Sequence, residues 1–109
     1  YPGVIGVTAF GRPGAVLAAG NRGSFVALAD PGVDIWIPGQ HGTGADPVDQ
    51  LVTGTSFAAP YVTAVLDAFG DDADRMLAAA RDLGAPGVDP VYGHGLVQAP
   101  TACVKAASR

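Results

Sequence analysis

The stretch that decides the fold is GTSFAAPYVTAVLDAF, residues 54–69. Past its first few positions, almost every residue is apolar or small. The larger apolar side chains recur at the i, i+3, i+4, i+7 spacing of a buried helical stripe: Val62, Val65, Leu66 and Phe69. Pro60 falls in the first turn, where a proline removes no hydrogen bond of the helix. The pattern predicts a helix over about 55–69 that is apolar nearly all round and therefore belongs inside a core.

The sequence before this helix predicts strands, within about residues 3–53. It is rich in glycine and β-branched residues, and turn signals separate its apolar runs. Three runs have strand composition: 4–8, 25–29 and 33–37. Because they are continuously apolar rather than alternating, they are typical of a parallel sheet that is covered on both faces. Residues 38–50 have no apolar periodicity and predict a loop.

The sequence after the helix predicts two shorter helices, over about 73–83 and 98–107. Gly70 ends the first helix, and three acids that favour the start of another helix follow it: Asp71, Asp72 and Asp74. These elements and a few strands are too few to cover an apolar helix on every side. The sequence therefore predicts an α/β unit, without internal repeat or linker, that is part of a larger domain.

The composition excludes several classes of function. The 109 residues include 10 acidic residues, all of them aspartate, and 6 basic ones, for a formal charge of −4. Nucleic acid is not an expected partner, because phosphate binding needs clustered Lys and Arg. A single cysteine, Cys103, excludes an internal disulfide and a cysteine-rich metal site. No uncharged apolar run approaches the ~18–20 residues that a membrane span needs.

Ser56 is the candidate nucleophile, because it stands where a loop runs into the central helix. The small residues Gly54 and Ala58 beside it would let a substrate backbone approach closely. The N-terminus of the helix offers unpaired N–H groups and positive potential to a developing oxyanion. The alternative is that Thr55 or Ser56 only caps the helix, as most Ser and Thr residues before a helix do.

Four blocks, in the same order along the chain, carry a resemblance to one family. Residues 54–60, Gly-Thr-Ser-x-Ala-x-Pro, resemble the active-site serine signature of the subtilisin-like serine peptidases, the subtilases. Residues 1–9, YPGVIGVTA, are similar to the family's strand after the oxyanion asparagine. The family also has an SN-x-G turn followed by a VDLAAPGVDI stretch. Similar residues stand here at 21–23, NRG, and at 26–35, VALADPGVDI. YGHGLVQA at 92–99 resembles its closing G-x-G-x-V-x-A segment.

The resemblance implies that residues 1–109 are the C-terminal third of a subtilisin-like catalytic domain. Such a domain has three layers, with a mostly parallel sheet and helices on both faces, and hydrolyses peptide bonds through an Asp-His-Ser triad. Ser56 would be the nucleophile and its backbone N–H one oxyanion donor, with support from Thr55. The rest of the motif is Gly54, Ala58 and Pro60. Since the family order is Asp, His, Asn, Ser, we expect the first three to lie upstream of residue 1.

Two motifs inside the chain imitate missing parts of this site. His41-Gly42-Thr43 imitates the start of the family's histidine motif, and Ala18-Ala19-Gly20-Asn21 imitates its oxyanion-asparagine motif. The family histidine opens a helix, whereas the residues after His41 are typical of a loop. Asn21 has a better collinear place in the Asn-x-Gly turn. We interpret both as turn residues; His41 as triad base and Asn21 as oxyanion donor are the alternatives.

Several residues depart from the family pattern. Asp30 stands where the family has Ala before Pro-Gly, and Ala18-Ala19-Gly20 replaces a usual Ser-Phe-Ser. Three residues of the predicted serine helix also differ: Phe57 for Met, Tyr61 for His and Ala64 for Gly. None of these changes removes the nucleophile, but Asp30 at a normally apolar position indicates different packing there. A catalytically inactive subtilase-like module that binds a partner or self-associates is therefore the alternative function.

The resemblance also sets expectations about ligands, partners and location. No cofactor is required, and Asp46 and Asp49 could hold a structural calcium. The expected partners are a polypeptide substrate, the missing N-terminal part of the domain, and a second copy through domain swapping, which would cover exposed sheet edges. A secreted or cell-envelope location follows from the family alone. The chain by itself is expected to be inactive, because a serine without its base and acid is a weak nucleophile.

Overall fold

The computed structural model describes residues 2–11, 17–39 and 49–101. The elements, in chain order, are β1 (Gly6–Phe10), β2 (Val26–Pro31), β3 (Ile35–Ile37), β4 (Gln50–Val52), α1 (Thr55–Ala68) and α2 (Ala73–Ala78). Within the described ranges, no helix has the length and apolarity that crossing a membrane requires.

The strands β1 and β2 form a parallel pair. Their register runs from Gly6 opposite Val26 to Phe10 opposite Pro31, with a bulge after Gly6. The strands begin slightly later than the apolar runs that predicted them, because the first residues of those runs are exposed; Phe25, for instance, is 61% exposed. The prediction of an α/β fold with parallel strands is confirmed.

A third extended segment, residues 95–97, lies along the other edge of β2. The Ala29 N–H donates to the Gly95 carbonyl at 2.9 Å, and the Val97 N–H donates to the Ala29 carbonyl at 3.0 Å. This segment also runs parallel to β2, with Leu96 opposite Ala29. The strand β2 is thus hydrogen-bonded on both edges, which makes it the centre of this part of the fold.

The strands β3 and β4 form an antiparallel hairpin instead of joining the parallel pair. Ile35 lies opposite Val52 and Ile37 opposite Gln50. The prediction that the run 33–37 belongs to a parallel sheet is therefore wrong, and the predicted loop 38–50 ends in a strand. The pattern of apolar residues in a short run does not distinguish a parallel from an antiparallel partner, because it records burial and not strand direction.

The helix α1 packs across both strands of the parallel pair. The core lies between them and consists of Leu28, Val62, Phe69, Met76 and Val97. Only the stripe of α1 that faces the strands is buried, and Tyr61 beside it is 47% exposed. The described residues therefore cover one side of a helix that is apolar nearly all round.

The second helix is shorter than its sequence predicts. The side chain of Asp72 caps α2 by accepting a hydrogen bond of 3.1 Å from the Arg75 N–H. The predicted helix over 73–83 is wrong in its second half, because α2 ends at Ala78. The chain turns there, and Arg81 exchanges two backbone hydrogen bonds of 2.8 Å with Leu96. This long-range pairing competes with the last helical turn and replaces it.

The predicted terminal helix over 98–107 is described only at its start. Residues 98–100 are not helical, and residue 101 is helical. The remainder of that prediction, including Cys103, lies outside the described residues. The predicted start near 98 is therefore too early, because residue 101 is the first helical residue after α2 in the described part of the chain.

Gly32 is the point at which the sheet meets the start of α1. The residue is buried, and its N–H donates to the Phe10 carbonyl at 3.2 Å. Its carbonyl accepts a 2.8 Å hydrogen bond from the Gly54 N–H. A Cβ atom on Gly32 would lie 2.6 Å from the Ala9 Cβ and 2.9 Å from the Gly54 carbonyl oxygen. Only glycine fits between β1 and the helix start without displacing one of them.

We expect Gly32→Ala to lower the free energy of unfolding by about 2–3 kcal/mol, because the added methyl group overpacks this crossing. The matched control is Gly54→Ala, at the other end of the same hydrogen bond. Gly54 has an extended backbone that any residue adopts and an added Cβ would meet only ordinary contacts, so its loss is expected to stay below about 1 kcal/mol. Urea denaturation measures both, and equal losses would contradict this account of the crossing.

Candidate active site

The helix α1 begins without a side-chain cap. Gly54 occupies the N-cap position, and no side chain accepts a hydrogen bond from the first turn. The Phe57 N–H instead donates to the Gly54 carbonyl at 3.0 Å. Thr55 and Ser56 are the first two helical residues, so the alternative role as N-caps is wrong for both.

Ser56 is exposed in the first turn of α1, between a half-buried Thr55 and the buried Ala58. The N–H groups of the first turn of a helix have no intrahelical acceptor. The Ser56 N–H is therefore available to a substrate oxygen beside its own hydroxyl, at the positive end of the helix dipole. No acidic residue occupies this turn to oppose a developing negative charge. The arrangement suits a nucleophile that also donates to an oxyanion.

Two contacts orient the chain that leads into this serine. The hairpin is tied to the turn after β2 by the Asp34 N–H, which donates to the Thr53 hydroxyl at 3.0 Å. The next residue, Gly54, is bonded to Gly32 as described above. The position of Ser56 therefore depends on the end of β2 and on the end of the hairpin, and not on α1 alone.

The described residues bring no general base to Ser56. His41, the alternative base, lies outside them. His94 is the one histidine within them, and its N–H donates to the Ala27 carbonyl near the beginning of β2. The Gly54 N–H, at the start of the helix that carries Ser56, is bonded instead to Gly32, just past the opposite end of that strand. The described residues therefore place no histidine at the end of β2 from which the chain leads to Ser56.

A cavity of about 170 Å³ lies beside Thr55. Its wall includes Asn21 and Gly20 from the turn before β2, together with Gly6 and Val26 from the parallel strands. The structure thus brings Asn21, the alternative oxyanion donor, to the same cavity as Thr55. It records no hydrogen bond between the two side chains, so the oxyanion role of Asn21 stays a prediction.

The proposed calcium ligands are not brought together in the described part of the chain. Asp49 accepts a hydrogen bond from the Gly39 N–H at 3.0 Å, which ties the two ends of the connection between β3 and β4. Its partner in the prediction, Asp46, lies outside the described residues. Across residues 2–11, 17–39 and 49–101, no three His, Cys, Asp or Glu side chains cluster as metal ligands would.

Asp30 is a buried ionisable residue that the sequence motifs did not single out as part of the candidate site. Only 4% of the residue is exposed, and its Oδ2 atom is buried with no hydrogen-bond partner. Burial disfavours the charged form and raises the pKa of Asp30 from 3.8 to about 7. One signal in the sequence could have drawn attention to this residue, because an aspartate stands at position 30 where the resembled family has alanine.

Solved structures match this fold, and one of them is an enzyme related to subtilisin. Fervidolysin from Fervidobacterium pennivorans, a keratinolytic enzyme related to subtilisin, matches 90% of this chain with a TM-score of 0.70 and 29% sequence identity. MycP1 from Mycobacterium smegmatis matches 88% with a TM-score of 0.68 and 28% identity. A MycP1 lacking its N-terminal propeptide matches 88% with a TM-score of 0.67 and 28% identity.

The chain spans only part of each of these proteins. It covers 35% and 28% of the two MycP1 chains and 18% of fervidolysin. No protein-family model matches the sequence, and no curated protein matches it either. The likeness therefore concerns about a third or less of each solved chain.

We expect the free energy of unfolding to fall as the pH rises from about 4 to about 7. The pKa of Asp30 is higher in the folded chain than in the unfolded one, so the folded state binds more protons across that window. The loss is on the order of 2–4 kcal/mol and levels off above pH 7. Urea denaturation at several pH values measures it.

Asp30→Asn removes the titrating group and is expected to flatten this pH dependence. The matched control is Asp34→Asn, which changes an exposed acid in the adjacent turn and is expected to leave the dependence as in the wild type. An unchanged pH dependence in Asp30→Asn would show that another group is responsible.

Proposed function

We propose that this chain, which is related to the subtilisin-like proteases, carries the nucleophilic serine of a serine peptidase, and that the serine is Ser56. The observation that carries the proposal is the place of Ser56: an exposed hydroxyl in the uncapped first turn of α1. The surrounding motif, Gly-Thr-Ser-x-Ala-x-Pro, supports the same assignment.

In this proposal the Ser56 hydroxyl attacks the carbonyl carbon of a peptide bond. A histidine takes the hydroxyl proton and later gives it to the leaving amine, while an aspartate orients that histidine. The carbonyl oxygen becomes negatively charged during the attack. The Ser56 N–H donates to it, and the dipole of α1 adds positive potential at the same point. Thr55 supports this donor from the adjacent cavity.

The histidine, the aspartate and the side-chain oxyanion donor would come from polypeptide outside this chain. The partial coverage of the compared proteins supports this division, as does the lack of a base near Ser56 among the described residues. The substrate class is polypeptide. A secreted or cell-envelope location is part of the proposal and rests on the resemblance alone.

An inactive module that binds a partner or self-associates is the second candidate. The observation that favours it is the set of exposed apolar side chains on the described surface: Trp36 and Leu51, opposite each other on the hairpin, and Tyr61 on α1. A second copy or another polypeptide could cover these groups by exchange of elements.

A fluorophosphonate probe separates the two candidates in a protein that contains this chain together with the upstream catalytic residues. We expect covalent labelling at Ser56, because the base makes the hydroxyl nucleophilic. Ser56→Ala is expected to abolish labelling, and Ser24→Ala, an exposed serine before β2, is expected to leave it unchanged. Peptide mass spectrometry locates the adduct, and a protein that stays unlabelled would favour the binding module.

The 109-residue chain alone is expected to show no measurable peptidase activity, because no base reaches Ser56 among residues 2–11, 17–39 and 49–101. A fluorogenic peptide or casein assay measures this. Robust proteolysis that Ser56→Ala abolishes would contradict the expectation and would return His41 to the position of base, which His41→Ala then tests.

A further inference from the structure

Asp30 is a buried ionisable group that the proposed mechanism does not use. Side chains alternate along a strand, so Asp30 lies on the same face of β2 as Leu28 and Gly32. Leu28 belongs to the core under α1, and a Cβ on Gly32 would lie 3.1 Å from the Cβ of Ala58. The carboxyl of Asp30 therefore faces the first two turns of α1.

The strands on either side of Asp30 offer it only apolar neighbours on that face. Ala9, its register partner on β1, is completely buried, and Val97, on the other edge of β2, is 8% exposed. The buried Val62 of α1 lies over the same face. In these surroundings the Oδ2 atom has no hydrogen-bond partner. Ionisation of the carboxyl would therefore carry a large desolvation cost.

No described cation offsets that cost. The strand β1 and the segment 95–97 contain no ionisable side chain, and His94 precedes that segment. The helix α1 contributes only Tyr61, which is 47% exposed, and Asp67 in its last turn. Asp34, in the turn after Gly32, is an exposed acid. Burial is therefore the effect that disfavours the charged form of Asp30.

Asp30 is also connected to Ser56 by a short path. Two residues after Asp30, the Gly32 carbonyl accepts the 2.8 Å hydrogen bond from the Gly54 N–H, and Ser56 follows two residues later. Ionisation of Asp30 would draw water between β2 and α1, since a buried carboxylate needs solvation. The contact between β1 and the helix start at Gly32 is too tight for an added methyl group. Entry of water beside Asp30 would therefore displace the start of α1.

We propose that Asp30 is a positioning residue for Ser56, and that the start of α1 holds its packed position only while the Asp30 carboxyl is neutral. The proposal rests on the proposed function of Ser56 and adds a pH-dependent control of that same site. It makes the serine well placed in acidic to neutral solution. The alignment is lost as the pH rises through the range in which Asp30 ionises, near pH 7.

Amide hydrogen exchange tests the positioning step without requiring catalysis. Protection factors of the Gly54 and Phe57 amides, which are both hydrogen-bonded at the helix start, are compared between wild type and Asp30→Asn from pH 5 to pH 9. We expect equal protection at pH 5 and a wild-type protection lower by about tenfold at pH 9, the change that roughly one pKa unit represents. The Met76 amide in α2 lies in the core and reports global unfolding, and we expect the loss of protection at Gly54 and Phe57 to exceed the loss at Met76.

The pH profile of fluorophosphonate labelling tests the link to Ser56 in the protein that contains the remaining catalytic residues. Asp30→Asn and Asp30→Ala are expected to extend efficient labelling above pH 7, whereas Asp34→Asn keeps the wild-type profile. If Asp30→Asn does not fold, Asp30→Ala serves in both experiments.

The outcomes separate the two proposals. The role of Asp30 would be overturned if the protection factors of the Gly54 and Phe57 amides were the same in wild type and Asp30→Asn at every pH. A loss of protection that depends on Asp30, with Ser56 unlabelled at every pH, would support the positioning step and contradict the proposed nucleophile.

Discussion

The hydrogen bond from the Gly54 N–H to the Gly32 carbonyl, 2.8 Å long, is the interaction on which the rest of the site depends. It joins the end of β2 to the first residue before α1. On the sheet side, Gly32 is held against β1 so closely that a methyl group does not fit. The serine motif therefore begins at a point that two strands and the hairpin define together, and this is what gives an exposed side chain such as Ser56 a definite position.

The contact between Gly32 and the start of α1 supplies only part of a catalytic site. A helix start supplies backbone donors and positive potential at no cost in side chains, but it supplies no proton acceptor. In the proposed function, the base for Ser56 would come from outside the described residues. Asp30 is buried at the end of β2, and its Oδ2 atom has no hydrogen-bond partner there.

Much of this was predictable where local pattern and tertiary packing agree. The apolar periodicity of 54–69 indicated a helix, and α1 occupies Thr55–Ala68. Prediction failed where a distant segment competed. The last turn of the predicted second helix gave way to the pairing of Arg81 with Leu96, and the run 33–37 joined a short antiparallel partner that its own composition does not reveal.

By itself the sequence determined the kinds of element, the order of its motifs and the candidate nucleophile, because periodicity and residue type act over a few neighbours. Only the tertiary structure decided that Gly54, and not Thr55 or Ser56, caps the helix, and that Asn21 shares a cavity with Thr55. It also decided that Asp30 is buried among apolar groups. The reason is physical: desolvation and close contact arise between segments that are far apart in the chain, and no local pattern records them.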